Sequence, residues 1–365
     1  MQSLNFPYNA RIDQIRWLAA TIVFLFHYHL ASLAGRPGAI DSSWLGIITE
    51  GHTGVGLFFT LSGFLFMQIA LHQRQIVYRD FVRNRCLRIL PLFLAIFLLA
   101  TSIGRDTFQP QDILYVLASN LGNAPTSGTV VTGAAWCISL EFLFYLLFPF
   151  LARFTLERGP RYLVQLLALL MVFKLGAYSV NPNSTLMYFS TFVGRFDQFI
   201  IGMLAAHLFA RHAPALRRAA PWLLPLALLL ALANSACQAS IAPFIPKTHH
   251  PFWITWSMQE SAVWALFIVS WVAFDKRLPP WIDKLLNHGG KISFSFYLLH
   301  MLVIQVMWQW LGPIAITGRA RIDAALWMVL VYASVWAIAS LSYVTIELPF
   351  LQLRRRYGKA ASPVA

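Results

Sequence analysis

Continuous apolar runs constrain the fold of this chain more than any other feature of its sequence. At roughly 18–22 residues, each run is long enough for an α-helix to cross about 30 Å of hydrocarbon. Barrel strands would instead alternate in polarity over about ten residues, a pattern that the run 222–233 contradicts. The ten predicted spans are residues 13–34, 45–71, 87–103, 134–152, 162–179, 191–210, 221–241, 255–274, 292–311 and 323–346.

The composition excludes a soluble globular domain. Apolar residues make up 58% of the 365 positions and charged residues only 12%, against about 45–50% and about 25% in soluble domains. We therefore predict an all-α polytopic integral membrane protein, with about ten transmembrane helices in one bundle. We expect a single membrane domain over residues 1–365, with spans at 13–346, a short tail at 347–365 and no soluble C-terminal domain.

The positive charge of the chain predicts its orientation in the membrane. The 28 Lys and Arg against 14 Asp and Glu give a net charge of +14, an excess that suits either nucleic acid or the cytoplasmic face of a membrane. Twenty of these cations fall on connections that share a side with the N-terminus, and five on the opposite connections. This asymmetry predicts a cytoplasmic (inner) membrane protein with both termini in the cytoplasm, and the charge requires no nucleic-acid partner.

Cysteine usage and the N-terminal segment suggest no further processing or metal chemistry. The three cysteines are scattered without metal-ligand spacing, so neither a metal site nor a disulfide framework is expected. The first span ends in Ser32-Leu33-Ala34, which resembles a signal-peptidase site. Polar residues inside that span favour a retained helix over a cleaved signal.

The first span contains ionisable residues, which are costly inside hydrocarbon and are therefore functional candidates. Arg16 and His27 are eleven residues apart, which places them on one helical face, about 16 Å from each other. Asp13 precedes Arg16 by three residues and can pair with it. His27 is either a hydrogen-bonded packing histidine or a catalytic base.

Three further groups of polar residues lie in or beside the spans. Ser62 lies among small residues, which suits close helix packing. Arg85 and Arg88, three residues apart, can either grip phosphates or anchor the chain to anionic lipid. Glu141, with Tyr145 one turn further on, is either neutral through burial or paired with a cationic or imidazole group.

Six short motifs of polar and small residues follow one another along the chain. They are Arg16 and His27; Phe58 to Gly63; Arg85, Arg88 and Pro91; Trp136, Ser139, Glu141 and Tyr145; Tyr297 and His300; and Glu347 and Pro349. In this order they resemble the motifs of the membrane acyltransferase-3 family. One departure is Gln14, which stands where the family's first-span motif usually has glycine.

The resemblance implies transfer of an acyl group, most often acetyl, from cytoplasmic acyl-CoA to a hydroxyl of a saccharide or lipid-linked glycan. Acyl-CoA would be a co-substrate, with no bound cofactor and no metal. Arg16, Arg85 and Arg88 would hold the phosphates of CoA, His27 would act as the base, and Glu141 would orient or support His27. The supporting residues would be Asp13, Ser62, Ser139, Tyr145, Tyr297, His300 and Glu347.

Two functions of other classes remain open at this point. A transporter or flippase for a lipid-linked saccharide would also place charges inside a ten-helix bundle. A membrane scaffold or sensor would use the polar groups only for helix packing. Consumption of acyl-CoA separates the acyltransferase from both.

The charge asymmetry makes a testable prediction about topology. We expect a reporter fused after Lys359 to face the cytoplasm and one inserted near Lys247 to face the outside. Paired phosphatase and fluorescent-protein fusions measure both positions. A C-terminal fusion that reports an external location would contradict the ten-span topology.

Overall fold

The fold is known from a computed structural model, which describes residues 5, 7–33, 45–107, 109, 136–183, 185–244, 249–312 and 316–357. Within these residues the chain is helical and has no β-strand, which confirms the all-α prediction. Lys247 and Lys359 lie outside the described residues. The helices are α1 (Ala10–Leu33), α2 (Gly46–Thr49), α3 (Thr53–Gln73), α4 (Tyr78–Ile103), α5 (Trp136–Arg158), α6 (Arg161–Val180), α7 (Thr185–Phe189), α8 (Phe192–Ile241), α9 (Phe252–Ala273), α10 (Pro280–Trp310), α11 (Ala320–Ser342) and α12 (Leu348–Gln352).

Seven helical stretches within the described residues are long and apolar enough to cross a membrane. They confirm a multi-pass membrane protein, whereas the predicted count of ten spans is not confirmed. Helices α1 and α9 cover two of the other predicted spans and are not among the seven. The seven are Thr53–Gln73, Tyr78–Ile103, Trp136–Arg158, Arg161–Val180, Met187–Ile241, Pro280–Trp310 and Ile322–Gln352.

Helix α8 explains part of the difference in the count. It runs for 50 residues, which as a straight helix would extend about 75 Å, more than twice the thickness of about 30 Å of hydrocarbon. The backbone leaves helical geometry at His212 (φ −121°, ψ 19°), and Pro214 follows. Because this break lies between the predicted spans 191–210 and 221–241, α8 contains one helical segment for each of them.

The outward surface of the bundle is apolar. Large apolar side chains on three different helices are more than half exposed, among them Val172 (62%), Trp222 (81%) and Val329 (60%). A soluble protein rarely leaves so much apolar surface in contact with water. These side chains therefore suit contact with lipid.

Helix α3 lies at the centre of the bundle and packs against α1, α8 and α9. Its approach to α8 is so close that a Cβ atom at Gly63 would overlap the carbonyl oxygen of Phe199. The same holds in the other direction, because a Cβ atom at Gly202 would overlap the carbonyl oxygen of Thr60. Small residues thus allow the two backbones to touch.

This contact predicts that Gly63→Ala lowers thermal stability. The added methyl group must push α3 and α8 apart, and overpacking of this kind costs about 1–3 kcal/mol. Gly176→Ala on α6 is the matched control, since nothing lies within 4 Å of a Cβ atom there. We expect a lower Tm in detergent for Gly63→Ala alone, and an equal Tm for both variants would contradict the close contact.

Candidate active site

Four arginines from three parts of the chain meet at one end of the bundle and line a cavity. Arg16 comes from α1, Arg85 and Arg88 from α4, and Arg354 from the segment after α12. Burial, together with the neighbouring Arg88 and Arg85, lowers the pKa of Arg354 to about 10. We call these four residues the arginine mouth.

Among the described ion pairs, two carboxylates partner residues of the arginine mouth. Arg16 forms an ion pair with Asp13 at 2.7 Å, and Arg88 lies 3.8 Å from Glu347. Asp13 also accepts a hydrogen bond of 3.0 Å from the hydroxyl of Tyr8. Four guanidinium groups beside two carboxylates leave a local excess of positive charge, which suits a polyanionic ligand.

Aromatic rings hold Arg85 in place. Its guanidinium group lies 4.9 Å from the ring centre of Phe66, 5.6 Å from Phe81, 5.8 Å from Tyr145 and 5.9 Å from Tyr357. It also donates a hydrogen bond to the hydroxyl of Tyr357. Such contacts favour a cation over the ring faces, so Arg85 is held at a fixed position in the cavity wall.

Glu347 connects Arg88 with the neighbouring helices. It closes a π-helical turn, Tyr343–Glu347, between α11 and α12. The hydroxyl of Ser295 on α10 donates a 2.5 Å hydrogen bond to one carboxylate oxygen, and the other faces Arg88. Because π-helical turns are rare and often occur at functional sites, this turn supports a functional role for Glu347.

A second cavity adjoins the arginine mouth and shares Arg16, Arg85 and Arg88 with it. It extends along the bundle between α3, α4, α5 and α10. Its polar lining consists of these three arginines together with Ser62, Cys137, Glu141, Tyr145, Ser293 and Tyr297. The chain therefore provides a route from the basic end of the bundle toward its interior.

Glu141 accepts two hydrogen bonds at the wall of this second cavity. The Ser62 hydroxyl donates one at 3.0 Å, and the hydroxyl of Tyr145 donates the other to the same carboxylate oxygen. None of the described hydrogen bonds joins Glu141 to His27, and the role of Glu141 in orienting or electrostatically supporting His27 stays a prediction. A helical pattern reveals which face a residue occupies, but it does not reveal which helix that face meets.

His27 pairs with His300 instead. Nδ1 of His27 on α1 lies 2.8 Å from Nε2 of His300 on α10. His300 is buried and stands one turn beyond Tyr297, whose hydroxyl lies 2.9 Å from the sulfur of Cys137 in the second cavity. The imidazole pair therefore lies one helical turn beyond Tyr297, and neither imidazole belongs to the described lining of the second cavity.

One predicted supporting residue, Ser139, and the motif departure Gln14 lie away from this chemistry. Ser139 is buried on α5 and belongs to the described lining of neither cavity. Gln14, at the position of the family's usual glycine, accepts a hydrogen bond from Trp271 and donates one to Asp283, so it links α1 with α9 and α10. In contrast, Arg354 belongs to the arginine mouth and Tyr357 lines the same cavity, although the sequence motifs gave no sign of either residue. The cationic C-terminal segment is the only sequence feature that could have pointed to these two residues.

A separate network of buried charges lies between α6, α8 and α9. Lys174 forms an ion pair of 2.5 Å with Asp197, and Arg195 lies 3.8 Å from Glu260. All four side chains are at most 1% exposed. Two cations face two carboxylates, so this network is balanced and suits a structural link between helices.

Nearly the whole chain matches a known protein family. Residues 9–345 match the family model described as the acyltransferase domain of the acyltransferase-3 type. This chain belongs to the acyltransferase-3 family. The match confirms the resemblance predicted from the motifs, and it covers nearly the whole chain.

A curated relative adds a partial match within the same class. The chain is 30% identical over 145 residues to acyltransferase MdmB of Streptomyces mycarofaciens. The aligned segment spans 37% of this acyltransferase-3 chain and 37% of the relative. No solved structure matches the chain.

Proposed function

We propose that this chain is an integral membrane O-acyltransferase. It would move an acyl group, with acetyl as the expected one, from cytoplasmic acyl-CoA to a hydroxyl of a cell-envelope or exported saccharide. The observation that supports this proposal most directly is a pair of adjoining cavities. The first lies at the arginine mouth, and the second ends one helical turn from the imidazole pair. Membership of the acyltransferase-3 family supports the reaction class.

The donor would bind with its phosphates at the arginine mouth. Arg85 and Arg88 can each offer a planar fork of N–H donors to phosphate oxygens. The pantetheine arm of the donor is narrow and extended, which suits the second cavity. In this arrangement the thioester would point toward Tyr297 and His27, and both chain termini would lie in the cytoplasm together with the CoA.

The transfer itself needs a base, because a neutral hydroxyl attacks a thioester slowly. His27 would take the proton of the acceptor hydroxyl while the oxygen forms a bond to the thioester carbonyl carbon. The carbon–sulfur bond then breaks, and the CoA thiolate leaves and recovers the proton from His27. An acyl ester and free CoA are the products, and the imidazole returns to its starting state.

Labelled acetyl-CoA tests this function and separates it from transport. Purified protein in detergent is incubated with radiolabelled acetyl-CoA and an oligosaccharide, and we expect the label to move to the oligosaccharide with release of CoA. A transporter or flippase would move a saccharide across a liposome membrane without consuming acetyl-CoA. That second result would overturn the proposal.

The base assignment predicts a strong difference between two histidines of α1. His27→Ala removes the proposed base, and loss of a general base typically costs about 10²–10⁴-fold in rate. His29→Ala is the matched control, because residue 29 lies about 200° around the helix from residue 27. Initial rates of label transfer measure both variants, and equal losses would show that the base is not His27.

The donor assignment predicts a split between KM and kcat. Arg85→Gln and Arg88→Gln should raise the KM for acyl-CoA more than they lower kcat, because phosphate contacts stabilise the ground and transition states alike. Lysine at either position should restore binding only in part, since it lacks the bidentate fork.

Arg153→Gln is the control for general loss of positive charge, because Arg153 is 76% exposed and pairs only with Glu157 among the described ion pairs. Its KM should stay at the wild-type value. An unchanged KM in Arg85→Gln and Arg88→Gln variants that insert correctly would place the donor phosphates elsewhere.

A further inference from the structure

The contact between His27 and His300 joins two imidazole rings through one hydrogen bond. The facing nitrogens are 2.8 Å apart, and the ring planes are inclined by 37°. A neutral imidazole has one N–H donor and one bare nitrogen that accepts. Of the two facing nitrogens, one must therefore carry the proton and the other the lone pair.

The surroundings of the pair favour two neutral rings. His300 is 1% exposed, and the rings of Phe24 and Tyr297 lie beside it. Among the described ion pairs and hydrogen bonds, no carboxylate contacts either imidazole. His27 is partly buried and His300 is buried, and an imidazolium ion without a counter-ion at such a site is costly, so the resting pair is uncharged.

The backbone of α10 decides which nitrogen carries the proton. Nδ1 of His300 lies 2.6 Å from the carbonyl oxygen of Tyr297. A carbonyl oxygen can only accept, so Nδ1 of His300 is the donor and its Nε2 is bare. The bare Nε2 faces His27, and Nδ1 of His27 must therefore donate to it.

We propose that His300 is a positioning residue that holds His27 in the tautomer with hydrogen on Nδ1 and a bare, basic Nε2. The inference rests on the proposed function, in which His27 is the base. When Nε2 of His27 takes the hydroxyl proton, Nδ1 keeps its own proton in the bond to His300. The lone pair of His300 then stabilises the transient positive charge on His27, while the proton on Nδ1 stays in place until Nε2 passes its proton to the CoA thiolate.

Nitrogen NMR of the resting protein tests the tautomer without any enzymatic turnover. The sample is the full chain in detergent with ¹⁵N-labelled histidine, and the signals are assigned by their loss in His27→Ala and in His300→Ala. We expect protonated Nδ1 and bare Nε2 in both rings, with a scalar coupling across the bond between them. A proton on Nε2 of His27, or a doubly protonated ring, would overturn the proposal.

The kinetics of two substitutions at position 300 test the consequence for transfer. His300→Leu removes the acceptor, and loss of a hydrogen bond to the transiently charged His27 ring should lower kcat by about 10–100-fold. His300→Gln places an amide oxygen near the former Nε2 and should restore most of kcat. The KM for acyl-CoA should stay unchanged in both variants, because the arginine mouth is untouched.

A control on the same helix separates positioning from packing. His288 on α10 is exposed and bonds to Ser340, so His288→Leu should leave kcat at the wild-type value. Equal kcat losses in His300→Leu and His300→Gln would show that the imidazole only fills space and would overturn the positioning role. If the wild-type protein transfers no label at all, the proposed function fails, whereas the NMR result still decides the tautomer.

Discussion

Each charged side chain inside this apolar bundle costs several kcal/mol unless a partner lies beside it. The described residues meet this constraint in two different ways. Between α6, α8 and α9, Lys174 and Arg195 face Asp197 and Glu260, so the charges balance. At the arginine mouth four cations lie beside the two carboxylates of the described ion pairs, and this excess of positive charge suits a polyanionic ligand such as the proposed donor.

The close helix packing places the chemistry along one route. Backbone contact between α3 and α8 at Gly63 and Gly202 fixes the central helix, and α3 carries Ser62 into the second cavity. The π-helical turn ending at Glu347 brings a carboxylate between Ser295 and Arg88. Donor binding and base catalysis would thus occupy opposite ends of one path inside the acyltransferase-3 domain.

Much of the fold follows from the sequence, because apolar run length and the composition of the spans depend on local physics. The motif residues of α1, α4 and α5 could be found for the same reason. The partners of these residues could not, since periodicity gives a helical face and not the neighbour that it meets. Glu141 bonds Ser62 and Tyr145 rather than His27, and Tyr357 reaches Arg85 from the far end of the chain.

The central claim is that one path leads the acyl group of the donor from the arginine mouth to His27. Photo-crosslinking tests it directly, with an acyl-CoA analogue whose acyl group carries a diazirine and with mass spectrometry of the labelled peptides. We expect labelling of the α1 peptide around His27 and the α10 peptide around Tyr297, with loss of both labels when unlabelled acetyl-CoA competes. Labelling of lipid-facing residues such as Val172 on α6, unaffected by that competitor, would contradict it.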